Sequence, residues 1–244
     1  GAQGVAVGRQ AGQTSQGANA VAVGYLAGKT NQSTNSVAVG VNAGSSGQLG
    51  SAVAVGLQSG QTTQGANSVA VGTNAGNSVQ GGSAVAVGNA AGQTSQGGNS
   101  VAVGYLAGQT TQGSESVAIG RSAGSTTQGA YATAVGYGAG TTNQGTQSVA
   151  IGLNAGNDAQ SGDAVAVGNS AGKTNQGTNA VAIGVNAGLT NQTAGSIALN
   201  ASGVALNPNQ AGCFVRPIRA GALGTSFTPN LPPDVLYYGR DGAL

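Results

Sequence analysis

A single unit of sixteen residues, first met as Gly1 to Gln16 (GAQGVAVGRQAGQTSQ), recurs twelve times without insertion or deletion and ends at Gln192. When the places of the unit are numbered from one to sixteen, four of them never change: Ala at the sixth (Ala6 to Ala182), Gly at the eighth (Gly8 to Gly184), Gly at the twelfth (Gly12 to Gly188) and Gln at the sixteenth (Gln16 to Gln192). The fifth and seventh places hold Val or Ile, with Thr133 as the one polar residue, whereas the first, third, ninth, tenth, thirteenth and fifteenth vary freely. Strict self-similarity at so short a period marks a solenoid, in which each unit buries its apolar face only by stacking on its neighbours.

Within a unit, Ser36-Val37-Ala38-Val39-Gly40 has a period of two, so Val37 and Val39 share one face of a short strand and Ser36 and Ala38 the other. The larger apolar pair is expected inside. Gly40 and Gly44 bracket a turn, because Gly takes positive φ without steric cost, and Ala43 between them is small enough to point into a narrow interior. Ser45 to Gly50 are polar and carry the chain to the next layer. A helix is excluded: two fixed Gly per unit each cost roughly 1 kcal/mol in a helix interior, and the apolar spacing is not 3.6. The fold class is therefore all-β, a parallel β-solenoid whose twelve coils, about 4.8 Å apart, make a rod on the order of 58 Å long. Residues 1–192 form the repeats, 193–207 a degenerate capping coil, and 208–244 an aperiodic connector.

Two Val per coil are little to hold sixteen ordered residues, so something more must be buried. With Val inward, the invariant Ala side chains face out, and an exposed strand position would drift as the ninth and tenth places do. Ala22, Ala38, Ala102, Ala118 and Ala166 with their fellows thus read as a surface on which another chain packs, which points to an assembly rather than a monomer. The Gln column reads either as a stacked amide ladder or as side chains bonded to turn backbone.

Composition narrows the function. Charged residues are 5% of the chain and the net charge is +2, so no basic stripe is available to neutralise phosphates and nucleic-acid binding is not expected. No apolar run approaches a membrane span. Disorder does not keep β-branched residues in register over twelve units. The chain opens at Gly1 within a repeat and has no Met, which reads as a processed or partly observed product. Cys213 is the one cysteine and cannot form an internal disulfide. Sequons at Asn31, Asn191 and Asn200 are at chance level for this composition.

No motif in the sequence completes a catalytic or ligand-binding set. Gly24 to Thr30 and Gly168 to Thr174 resemble a phosphate-binding loop but have three residues between the glycines where that loop needs four. Gly120 to Gly124 and Gly168 to Gly172 match a nucleophile-elbow pattern, yet the chain has no His to complete a triad. Asp158 and Asp163 lie in variable places with no second pair. No catalytic, cofactor or metal residues are assigned, and no enzyme is expected. Thr or Ser fills the fourteenth place in every unit but that of Asp158; such a row suits ice or a polysaccharide, but the drifting fifteenth place supplies no second row.

Units such as Asn35-Ser36-Val37-Ala38-Val39-Gly40 and Ser116-Val117-Ala118-Ile119-Gly120, each followed by x-x-Ala-Gly, resemble the head repeats of YadA-like trimeric autotransporter adhesins. The resemblance spans residues 1 to about 200 and implies a left-handed parallel β-roll, three chains to a rod. The unbroken sixteen-residue period departs from that family's often shorter units, and nothing after Gln192 resembles its stalk or membrane anchor. In the tail, Cys213 to Arg219 and Val235 to Tyr238 are similar to the connector of phage and large-virus fibre proteins that carry a cleavable endosialidase-type chaperone, which would fit an end at Leu244.

The expected role is a non-enzymatic fibre, spike or adhesin head outside a cell or on a virion, a rigid spacer with an attachment surface for a glycan or protein receptor. Tyr25, Tyr105 and Tyr137 in the ninth place offer contact points; the alternative is a carbohydrate- or ice-binding surface using the Thr row. The tail holds every Pro and both Phe. Its Phe214, Arg216, Arg219, Tyr237 and Tyr238 are expected to fix trimer register or to dock the next component of a fibre. Ser196 to Asn200 reads as one more strand with Asn in place of the turn Gly, and Val204 to Asn207 as its repeat in a shortened last coil.

Overall fold

A computed structural model describes residues 2–217 of the protein. The chain is a parallel β-solenoid, and among the described residues there is no helix. Each coil contributes a strand at places five to seven, such as Val101–Val103, and these stack with their neighbours into one fourteen-stranded sheet. Register is set by the period: Val101 pairs with Val117, Ala102 with Ala118 and Val103 with Ile119. A second wall, around places fourteen to sixteen, forms an eight-stranded sheet through Thr127–Gln128 and a separate two-stranded one at Asp158–Gln160 and Thr174–Gln176.

At the strand of the first wall the interior is the reverse of the one expected, whereas Ala43 points inward as expected. Ala22, Ala38, Ala102, Ala118 and Ala166 are wholly buried within the single chain, and so are the Ala of the eleventh place, such as Ala107, and the Ala or Ser of the fourth, such as Ser100. Val and Ile of the fifth and seventh places point outward and are half-buried or exposed. Strand parity is as the sequence dictates; the physical reason for the inversion is width. An eighth-place Cβ at Gly104 (φ +133°) would lie 2.7 Å from the Gly120 carbonyl oxygen, and a twelfth-place Cβ at Gly108 (φ +52°) 2.7 Å from Gln112 Oε1. A coil closed this tightly has room for methyl groups and no room for isopropyl groups, so the sixth place never changes because it is full.

Across the same interior lies the Gln column, buried from Gln32 to Gln192. Both expected bonds are made together. Gln112 Nε2 donates to the Val101 carbonyl at 2.8 Å and to the Ser116 carbonyl at 3.4 Å, tying the two walls of a coil and adjoining coils. The amides also bond along the stack, for example Gln48 to Gln64 at 3.0 Å and Gln160 to Gln176 at 3.0 Å. The ladder is interrupted, leaving Oε1 of Gln80, Gln112, Gln128 and Gln160 without a hydrogen-bond partner among the described residues. Buried fourth-place hydroxyls are satisfied locally, as when Ser100 donates to the Gly97 carbonyl at 2.6 Å.

Beyond the repeats the strands keep their spacing. Ser196–Asn200 pairs with Gly212–Arg216, Ile197 opposite Cys213 and Ala198 opposite Phe214, so the first wall runs on at sixteen residues and the last coil is not shortened there. Val204 to Asn207 adds no strand to that wall; Leu206 bridges Ala187 and packs on the Ala core. Asn200 does not take positive φ. Its buried side chain donates to the Val185 and Val204 carbonyls, both at 2.7 Å, and so holds the rerouted loop.

Candidate interaction surfaces

With Ala inside, the surface open to another molecule is the outward face of the first wall. Its two columns run from Val5 and Val7 through Val101 and Val103 to Ile183, Ile197 and Leu199, one apolar pair per coil except at Thr133, with Cys213 and Val215 in the same rows. Val7 is 56% exposed at the end of the stack and Ile119 still 40% exposed in its middle. Val and Ile suit a pleated strand, and a large exposed apolar patch on a soluble protein marks an interaction site. The expected contact column of Ala22, Ala38, Ala102, Ala118 and Ala166 has no accessible surface and cannot serve. The signal that identifies the outward face is side-chain size: places four, six, eight, eleven and twelve accept only Gly, Ala or Ser.

A second surface follows the ninth place, where the chain leaves the strand. Tyr25, Tyr105 and Tyr137 are all exposed there, 42, 49 and 50% respectively. They do not stand alone. The guanidinium of Arg121 lies between the Tyr105 and Tyr137 rings, 5.6 and 5.4 Å from their centroids, and Arg9 sits 5.6 Å from Tyr25. Stacking at sixteen residues therefore converts unrelated substitutions into a Tyr–Arg–Tyr comb, a cation–π arrangement that stiffens long side chains. The two arginines were not singled out from sequence, although they occupy the same column as the tyrosines.

The third surface is the hydroxyl row of the fourteenth place, and here the second wall changes character. In coils four to eight, strands at Thr63–Gln64, Val79–Gln80, Ser95–Gln96, Thr111–Gln112 and Thr127–Gln128 turn the fifteenth side chain outward. Thr63, Ser95, Thr111 and Thr127 are exposed beside Thr62, Thr94, Thr110 and Thr126, giving a second row confined to this block and interrupted at Val79.

The remaining expected residues divide. Phe214 falls in the row of the invariant Ala, half-buried over the end of the Ala interior, and Arg216 pairs with Asn200. Arg219, Tyr237 and Tyr238 lie outside the described residues. Gly24 to Gly28 and Gly168 to Gly172 are ordinary turns of the coil, and among the described residues there is no group of three or more side chains able to hold a metal. Of the three sequons, Asn200 is buried and bonded, whereas Asn31 and Asn191 are exposed. Among the described residues no helix is long and apolar enough to cross a membrane.

A family model described as YadA head domain repeat (2 copies) matches residues 62–75, 112–139, 128–155 and 176–188. The two longest matches overlap and begin one coil apart. No curated protein and no solved structure matches the chain.

Proposed function

We propose that this chain, which carries YadA head domain repeats, is the rigid head of a surface-exposed, adhesin-like homotrimer in which the Val and Ile face of each copy packs against the other two. The observation that carries the reading is that every coil but that of Thr133 presents an apolar pair outward while its own interior is already filled by small side chains and Gln. A face that repeats at the inter-coil rise is matched row by row only by a surface of the same rise, and another copy of the chain is such a surface. The role is structural attachment rather than catalysis: coil number sets length, and the ninth-place comb of Tyr25, Tyr105 and Tyr137 with its arginines offers rigid aromatic anchors to a glycan or protein receptor outside the cell or on a virion. Phe214 and Arg216, with Arg219, Tyr237 and Tyr238, remain the proposed junction to the next part of a fibre.

Sedimentation equilibrium is expected to give three times the chain mass. Val101→Asp with Val103→Asp should yield a monomer that still melts cooperatively, because the carboxylates face water in the single chain. A monomeric parent chain would overturn the assembly, and a variant that loses its fold would return these side chains to the interior.

A second reading is supported by the paired hydroxyl rows of coils four to eight, interrupted at Val79, whose regular rise suits an ordered polyol or ice surface. Thr111→Val with Thr127→Val should abolish inhibition of ice recrystallisation or retention on insoluble polysaccharide, whichever the parent chain displays. If the parent displays neither, this reading fails.

A further inference from the structure

The apolar face just described has one polar residue. Among its places in the twelve repeats, all are Val or Ile except Thr133, which stands in the fifth column between Val117 and Val149. Its backbone is fully engaged: the amide donates to the Ser148 carbonyl at 2.9 Å and its carbonyl accepts from Gln144 Nε2 at 2.9 Å. Its hydroxyl has no hydrogen-bond partner among the described residues. Nothing inside the coil calls for Thr there, since the flanking Ala132 and Ala134 are buried as are Ser116, Ala118, Ser148 and Ala150 in the coils on either side.

We infer that Thr133 is a register mark, a hydroxyl that meets its counterparts when copies of the chain associate in parallel and in line. This rests on the assembly proposed above and adds to it what fixes the alignment. The apolar rows fix it only weakly, because each whole-coil slip sets Val or Ile against Val or Ile again and, apart from the ends of the rod, changes the contact by single methyl groups at Ile119, Ile151 and Ile183. Slip does change the surroundings of Thr133: one coil in either direction sets its hydroxyl against the rows of Val117 or Val149, where no acceptor side chain exists. In line, three Thr133 hydroxyls come together, and each both donates and accepts. A polar group confined to one layer of an apolar seam acts in this way in coiled coils, where it specifies register at some cost in stability. The occupant of the face is thus a second and a third copy of this chain, aligned coil nine to coil nine.

The test is self-sorting. The parent chain is co-expressed with a chain in which the mark is moved two coils, Thr133→Val with Val101→Thr, each with a different mass tag, and trimer composition is read by native mass spectrometry. Mixed trimers are expected to be depleted roughly tenfold from binomial proportions, about the equilibrium factor of one lost hydrogen bond. A Thr133→Ser chain keeps the hydroxyl and should mix with the parent freely. Both changes are at outward positions, and circular dichroism of each chain alone checks that it folds. Binomial mixing of the parent with the moved-mark chain overturns the inference while leaving the trimer standing; a parent chain that is monomeric overturns the assembly on which it rests.

Discussion

The two walls of the coil come from the same unit, yet the first is uniform along fourteen strands and the second is divided into blocks. The division lies in the fifteenth place. Ser15, Asn31 and Gly47 in the first three coils, and Asn143, Ala159, Asn175 and Asn191 in the last four, have positive φ between +50° and +77°. Thr63, Val79, Ser95, Thr111 and Thr127 between them do not, and form strands instead. The backbone amide turns with φ: Thr63 donates forward to the Ser78 carbonyl at 2.9 Å, Ala159 backward to the Thr142 carbonyl at 3.0 Å. At the block boundaries the wall narrows to a single pairing, Gln48 with Gln64 and Gln128 with Gln144. Asn and Gly accept the left-handed region, whereas β-branched residues resist it, so composition selects the conformer. A wall whose side chains fill the interior has one solution; a wall with an outward place beside its buried Gln has two.

The comparison is broken most severely from inside the first wall. Ala102→Leu places a branched side chain where the neighbouring Gly108 would bring even a Cβ to 3.3 Å of the Ala102 methyl. Overpacking of that kind is expected to cost about 3 kcal/mol or more. Val101→Ala, on the outer side of the same strand, should cost the isolated chain about 1 kcal/mol or less, since that side chain is only half-buried. Urea melting of both variants in an association-deficient background measures the contrast, and equal costs would mean that the interior is wider than its Gly and Ala columns indicate.

A smaller effect is expected from the side chain that joins the walls. Gln112→Met keeps the length of the side chain but removes the amide that serves the Val101 and Ser116 carbonyls. Leaving buried acceptors without that donor should destabilise by about 1–3 kcal/mol. The matching change at Gln16, which is only partly buried at the open end of the stack, should cost less. If the two variants melt alike, the column contributes by filling space and its hydrogen bonds are incidental.

Much of this was legible in the sequence, and the failures have a common cause. Period, strand parity, parallel stacking and the turn glycines follow from twelve aligned units. Inside and outside were exchanged because Val is more apolar than Ala, and apolarity decides burial only where there is room; the constraint at Ala102 is steric. The third and tenth places look unconstrained by chemistry, yet every described residue there, from Asn99 to Leu106, shares left-handed φ, so their common property is a backbone angle that tolerates many side chains and favours Asn. The comb of Tyr105, Arg121 and Tyr137 is only half visible in the sequence, because repetition marks a column and this one is built from residues that differ. In the tail, Val204 to Asn207 imitates the strand motif, but Leu206 is used as a plug against Ala187.

The smallest effect sharpens the comparison furthest. Ser occurs at the fifteenth place in both conformers: Ser15, beside Asn31, is left-handed, and Ser95, between Val79 and Thr111, is extended. Ala159 is left-handed between Asn143 and Asn175, though Ala has no preference for that region. Residues without a strong preference thus follow their neighbours, as expected where a forward-bonding coil and a backward-bonding coil pair poorly and stability contains a nearest-neighbour term. Ser95→Asn alone should therefore leave residue 95 extended, its amide still bonded to the Thr110 carbonyl, with stability changed by no more than about 0.5 kcal/mol. Adding Val79→Asn and Thr111→Asn should carry all three coils to positive φ together. Backbone chemical shifts at the three places follow the change directly. If Ser95→Asn turns by itself, the blocks are set residue by residue and the coupling between coils is absent.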